Sequence, residues 1–181
     1  MNFFPVRIAL ALFLFPMVLP AAEPLNLPNP GFEEGTAGWR FKESAPMSSV
    51  TADAAHEGTS GLRVEDHDDA AVRVAADEPA ISGMVPVVAG SRYTLTFWAK
   101  SSAPPPAAGV FVWFYSPDKK LTDEKNRPVS MVGAGDGKWR QQTLEFTVPE
   151  GVAYAALWVH SLGKAKGTLD FDEFEIRESG N

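Results

Sequence analysis

The chain has no cysteine, which excludes a disulfide framework, a thiolate zinc site, an iron–sulfur cluster, a cysteine nucleophile and a lipid-modified cysteine anchor. Any metal must therefore be held by oxygen or histidine. Histidine is itself scarce: His56, His67 and His160 are scattered, with no His-x-x-x-His pair. The sequence also lacks a Gly-x-Ser-x-Gly elbow, a phosphate-binding glycine loop and a dinucleotide fingerprint. Positive charge is in deficit, with 16 Lys+Arg against 23 Asp+Glu and a formal net charge of −7. Such a balance supplies no field to gather phosphates or anionic lipid, so nucleic acid and membrane surfaces are excluded as partners and a neutral or cationic partner is favoured.

Long apolar runs are confined to the N-terminus. Arg7 is followed by the apolar stretch Ile8 to Val18, which closes on Leu19-Pro20-Ala21-Ala22 before Glu23. This is the pattern of a secretory signal peptide. The run is shorter than the roughly 20 residues of a membrane span and is interrupted by Pro16. Cleavage fits after Ala21 or Ala22, and we take Ala22. The sequence thus divides into a signal peptide, residues 1–22, and one domain, residues 23–181. The mature protein is expected to be secreted, periplasmic or at the cell surface, with no membrane insertion after cleavage.

Beyond Glu23, helical spacing of apolar residues is always broken by Gly or Pro, whereas period-two alternation recurs. Tyr93, Leu95, Phe97 and Ala99 alternate with Thr94, Thr96, Trp98 and Lys100. Val110, Val112 and Phe114 alternate with Phe111, Trp113 and Tyr115. The pattern returns at Leu144 to Val148 and Tyr154 to His160, with a closing strand at Phe171 to Ile176. Further strands are expected at Gly61 to Glu65, Ala71 to Val74 and Ile81 to Val87, where Pro86 demands an edge or a bulge. Turn-forming segments separate these runs. Eight or more short strands in one domain predict an all-β fold: a two-sheet antiparallel β-sandwich, of jelly-roll type.

Several elements in order carry a family resemblance: Asn29-Pro30-Gly31-Phe32-Glu33, Gly38-Trp39, His56-Glu57-Gly58-Thr59-Ser60-Gly61, Arg92-Tyr93-Thr94-Leu95-Thr96-Phe97-Trp98, Phe146-Thr147-Val148-Pro149 and Phe171-Asp172-Glu173-Phe174-Glu175-Ile176. Together they span nearly all of the mature chain, which resembles carbohydrate-binding modules of families 4, 9, 16 and 22. The resemblance implies a β-jelly roll without catalytic machinery, a structural calcium ion near the strand ends, and glycan binding in a groove or at loop tips. It also places Asp172 at the family's calcium-ligand aspartate. Calcium takes six to eight oxygens, and the metal candidates are Glu33, Glu57 and Asp172, with Asp170 and Glu173 as alternatives. The run Glu65-Asp66-His67-Asp68-Asp69 is expected to be a solvated turn.

Sugar rings stack their C–H faces on aromatic side chains and need polar groups around the rim. If Tyr93, Leu95 and Phe97 point inward, alternation puts Trp98 outside; the same count puts Phe111, Trp113, Tyr115, Tyr154, Trp158 and His160 outside. A soluble domain seldom exposes so many aromatics without a purpose. The ligand-binding candidates are Trp98, Trp113, Tyr115, Trp158, Phe111 and His160, with Arg140, Gln142, Asp118 and Lys100 as polar neighbours. Trp39 and Trp139 are assigned to the core. A glycosidase would need two carboxylates facing across a cleft about 5–9 Å wide, which neighbours on one strand do not supply. The chain is therefore expected to be no enzyme. It is expected to be a secreted module that binds a polysaccharide or oligosaccharide through an aromatic-lined face, alongside a secreted glycoside hydrolase or a surface protein. The alternative is the same sandwich serving protein contacts or structure at the cell surface.

Overall fold

A computed structural model describes residues 23–41, 48–67, 73–75, 83–103, 107–122, 125–162 and 166–180. The signal segment lies outside the described residues, as do positions 71–72 and 81–82 of two expected strands. The strands are β1 (Arg40–Phe41), β2 (Ser48–Thr51), β3 (Gly61–Asp66), β4 (Arg73–Ala75), β5 (Val85–Pro86), β6 (Arg92–Ser101), β7 (Ala108–Tyr115), β8 (Val129–Val132), β9 (Arg140–Thr147), β10 (Tyr154–Ser161) and β11 (Gly167–Glu178). A single 3-10 turn, Ala52–Ala54, is the helical element among the described residues. No helix there is long and apolar enough to cross a membrane.

Two antiparallel sheets form a sandwich. One has the order β1-β4-β10-β7-β8, with β5 also on β10; the other has the order β2-β3-β11-β6-β9. Alternation explains why they pack. Tyr93, Leu95, Phe97 and Ala99 of β6 are buried against Val110, Val112 and Phe114 of β7 and Ala155, Leu157 and Val159 of β10. Pro86 stands opposite Tyr154 on the short β5, at a position where a missing N–H is tolerated. β1, β2 and β8 have two to four residues each, too few to establish a period in the sequence.

A bulge in β11 breaks that simple alternation. The register against β6 passes from Asp172↔Trp98 to Glu175↔Thr96, so β11 spends one residue more than its partner. Glu173 takes the left-handed conformation, at φ 53°. The inward phase therefore changes from Leu169 and Phe171 to Phe174 and Ile176. Ahead of the bulge, Asp170 faces outward and is held by Arg63 Nε at 2.8 Å and Lys100 Nζ at 2.8 Å. Glu65 and Asp66 belong to β3, and Asp66 is only 1% exposed. The first half of the expected solvated turn is thus strand, because Asp66 pairs with Gly167 of β11; Asp68 and Asp69 lie outside the described residues.

Residues 28–39 plug one end of the sandwich. The Asn29 amide donates to the carbonyls of Gly35 and Ala37 while its oxygen accepts from Glu34 N–H. Trp39, 3% exposed and in the core as expected, donates its indole N–H to the carbonyls of Pro28 and Asn29. Gly38 sits at φ +73° with Pro28 pressed against it, so a Cβ there would lie 2.5 Å from the Pro28 side chain. Phe32, Trp39 and Phe174 meet as an aromatic trio, with Phe32 and Trp39 centroids 4.8 Å apart and Trp39 and Phe174 5.3 Å apart. The bulge supplies the third ring, and Phe174 N–H donates to Pro30 carbonyl at 3.0 Å. Phe174→Ala is expected to cost about 3–5 kcal/mol of unfolding free energy by emptying this plug. Urea denaturation checks it; an unchanged midpoint would contradict the role assigned to the trio.

Candidate functional site

The outer face of β7 and β10 carries the main aromatic group. Their register sets Phe111 opposite Trp158, Trp113 opposite Ala156, and Gly109 opposite His160. Directly opposed residues share a face, and diagonal neighbours are within reach of large side chains. Opposite the small Ala156, Trp113 leans diagonally onto Trp158: the two indoles stack at 4.1 Å with 16° between their planes. Gly109 clears the space beside Phe111, where a Cβ would come within 2.9 Å of the Phe111 ring. Phe111 then meets His160 edge to face at 6.1 Å.

Cations complete this surface. The Arg127 guanidinium lies 4.4 Å from the Trp113 ring centroid and 5.6 Å from that of Phe111. Arg40 lies 5.9 Å from Trp158, and Lys119 Nζ lies 5.5 Å from Tyr154. Phe111, Trp113, Arg127, Trp158 and His160 line one recess of about 190 Å³. Four of the six expected ligand-binding residues therefore converge. Cation–ring attraction, about 0.5–2 kcal/mol per pair, holds the planar groups in place.

Trp158 and Tyr115 were expected to be open and share the outer side of the sheet by alternation, but both are closed off, Trp158 at 8% exposure under the stacked Trp113 and Tyr115 at 6%. The returning segment forms a bridge from Leu121 to Tyr115, and Thr122 N–H donates to Phe114 carbonyl. Trp98 departs further from expectation, because it lies on the other sheet, opposite Gln141 and Asp172. His56 stacks on it at 3.9 Å, and Trp139 meets His56 edge-on at 5.2 Å. The aromatics thus occupy two sheets rather than one face. Trp139, expected in the core, is half-buried on that outer surface with Lys100 Nζ 4.8 Å from its ring. It precedes β9 at a position where alternation leaves it on the Gln141 side.

The expected polar neighbours are mostly engaged elsewhere. Arg140 is paired with Asp136, Asp118 with Lys120, and Lys100 with Asp170. Arg127 and Arg40, which do reach the aromatic face, were not singled out in the sequence. Arg127 sits in an aperiodic stretch and Arg40 on a two-residue strand, so only the fold could bring them there.

Glu33, Glu57 and Asp172 come to one corner, formed by the N-terminal plug, the segment 55–60 and the bulge. Asp172 accepts from the backbone N–H of His56 at 2.7 Å, of Glu57 at 3.2 Å and of Glu173 at 2.8 Å. Burial nevertheless pushes its carboxyl above the ordinary range, because these bonds do not offset the lost water. Glu33 accepts from the Thr59 hydroxyl and from the Thr59 and Ser60 N–H groups, which hold its carboxyl below the ordinary range. The donor atoms that lie within 4.8 Å of one another belong to His56, Glu57 and Glu173. His56 Nδ1 and Glu173 are in direct contact. Glu33 and Asp172 flank this trio rather than joining it.

Comparison with known proteins agrees with this architecture. No curated protein matches the chain in sequence. Among solved structures, a Family 16 Carbohydrate Binding Module-2 superposes with a TM-score of 0.59 at 18% identity, covering 82% of this chain and 96% of its own. The CBM22-1 xylan-binding domain of Paenibacillus barcinonensis Xyn10C gives 0.59 at 20% identity, covering 91% and 99%. TmCBM61, solved with β-1,4-galactotriose, gives 0.57 at 20% identity, covering 86% and 99%. These likenesses establish the fold. The sequence profile described as "Carbohydrate binding domain", which spans modules of families 4 and 9, matches residues 26–164, and with that share of its length matched the chain belongs to this carbohydrate binding domain family.

Proposed function

We propose that this protein is an exported, non-catalytic module that holds a polysaccharide or oligosaccharide on the outer face of β7 and β10. The observation that carries the reading is the stacked pair Trp113 and Trp158, joined by Phe111, Arg127 and His160 around one recess. Flat aromatic faces suit the C–H faces of sugar rings, and guanidinium N–H groups can donate to their oxygens. The face is built on two central strands of a sheet, so little order has to be gained on binding. Family membership supports a sugar as ligand, and the xylan-binding and galactotriose-bound relatives support a β-linked chain. The N-terminal segment 1–22, read as a signal peptide, supports export.

The acidic corner completes the proposal with a structural calcium ion. Glu57 and Glu173 offer carboxylate oxygens beside the His56 ring nitrogen, and Glu33 and Asp172, which accept backbone N–H groups, flank them. A bound ion would tie the segment 55–60 to β11, as a disulfide would in a cysteine-containing chain.

Two measurements test these claims. Trp113→Ala is expected to lower affinity for the retaining polysaccharide by about 2 kcal/mol or more, roughly 30-fold, with the melting temperature of the variant close to that of the parent. Affinity electrophoresis in gels cast with xylan, β-glucan, mannan, pectin or laminarin reads this directly. Unaltered retention would remove Trp113 from the site, and no retention of the parent by any member would turn the reading toward a protein partner. Chelation with EDTA is expected to lower the melting temperature by several degrees, with recovery on adding calcium. Superimposable melting curves with and without chelator would exclude the ion.

A further inference from the structure

Cations gather on the β7–β10 face of an acidic chain. Overall the protein carries a net −7, yet three cations, Arg40, Lys119 and Arg127, each lie against an aromatic ring of this one face. They follow the direction of β10, from Trp158 at one end to Tyr154 at the other. Among the described residues no carboxylate pairs with Arg127 or Lys119; the nearby Asp118 is engaged by Lys120 Nζ at 2.8 Å and by the Ser116 hydroxyl. Cations placed in this way gain most from a ligand that brings its own negative charge.

Hydrogen-bond chemistry sharpens the point. Guanidinium and ammonium groups donate and cannot accept, whereas a sugar hydroxyl both donates and accepts. Facing Arg127 and Lys119, the hydroxyls of a neutral sugar would find donors and would have to give their own protons to water. A carboxylate is acceptor-only when ionised and matches the guanidinium fork with two parallel bonds. The recess lined by Phe111, Trp113, Arg127, Trp158 and His160 has a volume of about 190 Å³. Within it the Arg127 guanidinium lies over the Trp113 ring, 4.4 Å from its centroid, beside Phe111 and His160.

We propose that this face selects an acidic polysaccharide, one whose rings carry uronic acid carboxylates, and that Arg127 is the side chain that binds the carboxylate. The proposal rests on the reading of β7–β10 as the glycan-binding face and names the class of glycan. It departs from the expectation of a neutral or cationic partner drawn from net charge, because a bound carboxylate responds to the charges within a few ångströms and remote acids are screened beyond about 8–10 Å.

The test measures affinity for polygalacturonate, alginate and glucuronoxylan, each compared with its carboxyl-reduced form, in which the same rings carry no charge. At least one acidic polymer is expected to bind about tenfold or more tightly than its reduced form. Arg127→Gln is expected to remove that preference, so that the acidic polymer binds no more tightly than its reduced form, and Trp113→Ala to weaken the binding of both by roughly 30-fold. Equal or tighter binding of the reduced forms would overturn the proposal and leave the glycan-binding reading standing. An intact preference in the Arg127→Gln protein would also overturn the assignment of Arg127. Binding of neither form, from a folded sample that also fails with neutral xylan and β-glucan, would overturn this proposal and the reading beneath it together.

Discussion

Tyr154 to Ser161 and Ala108 to Tyr115 pair along eight residues without interruption. Because side chains alternate, a slip of one residue in either strand would carry its aromatics into the core and its valines into water. The burial of Val110, Val112, Leu157 and Val159 therefore fixes the side of the sheet on which Phe111, Trp113 and Trp158 lie. Ala156 and Gly109 then decide how the rings arrange themselves. A larger residue at 156 would fill the space into which Trp113 leans, and a Cβ at 109 would press on Phe111. The proposed binding face is a by-product of core packing, held by a register that the core cannot give up.

A second constraint governs the other sheet. The bulge at Asp172 to Glu175 lets one strand bury Phe171 and Phe174 on the same side while turning Asp170 and Asp172 outward beneath the segments that cover them. Asp170 gathers Arg63 and Lys100; Asp172 gathers the backbone of His56 and Glu57. Removing one member of such a buried ion pair leaves an uncompensated charge and is far more costly than the net worth of the pair. The bulge thereby joins the plug of residues 28–39, the acidic corner and the His56–Trp98 stack in one place, on the sheet opposite the stacked Trp113–Trp158 pair.

Much of this was legible in the sequence, and the failures have definite causes. Alternation gave the inward and outward sides of β6, β7 and β10 correctly, because each strand is long enough to repeat its period several times. Alternation does not say which sheet a strand joins, so Trp98 was grouped with Trp113 although they end on different sheets. The glycine-containing turn before Trp139 points to a core position, whereas the phase of β9 leaves it outside. Alternation leaves Tyr115 and Trp158 open, but a segment returning through Leu121 covers the first and Trp113 stacks over the second, neither with any periodic signal. Arg127 and Arg40 carry no local mark at all, since their role exists only after residues far apart in sequence have been brought to one face. The same limit applies to charge: net composition describes the long-range field, while the cations beside the rings decide the local one.

The chain has five tryptophans, and their indole N–H resonances report separately on the plug, the stacked pair and the opposite sheet. Titrating isotope-labelled protein with oligosaccharide fragments of the retained polysaccharide, and following those five signals by NMR, tests the central claim most directly. The account predicts that Trp113 and Trp158 shift together along one binding curve while Trp39, Trp98 and Trp139 stay in place. Movement of Trp98 and Trp139 with Trp113 and Trp158 unchanged would contradict it.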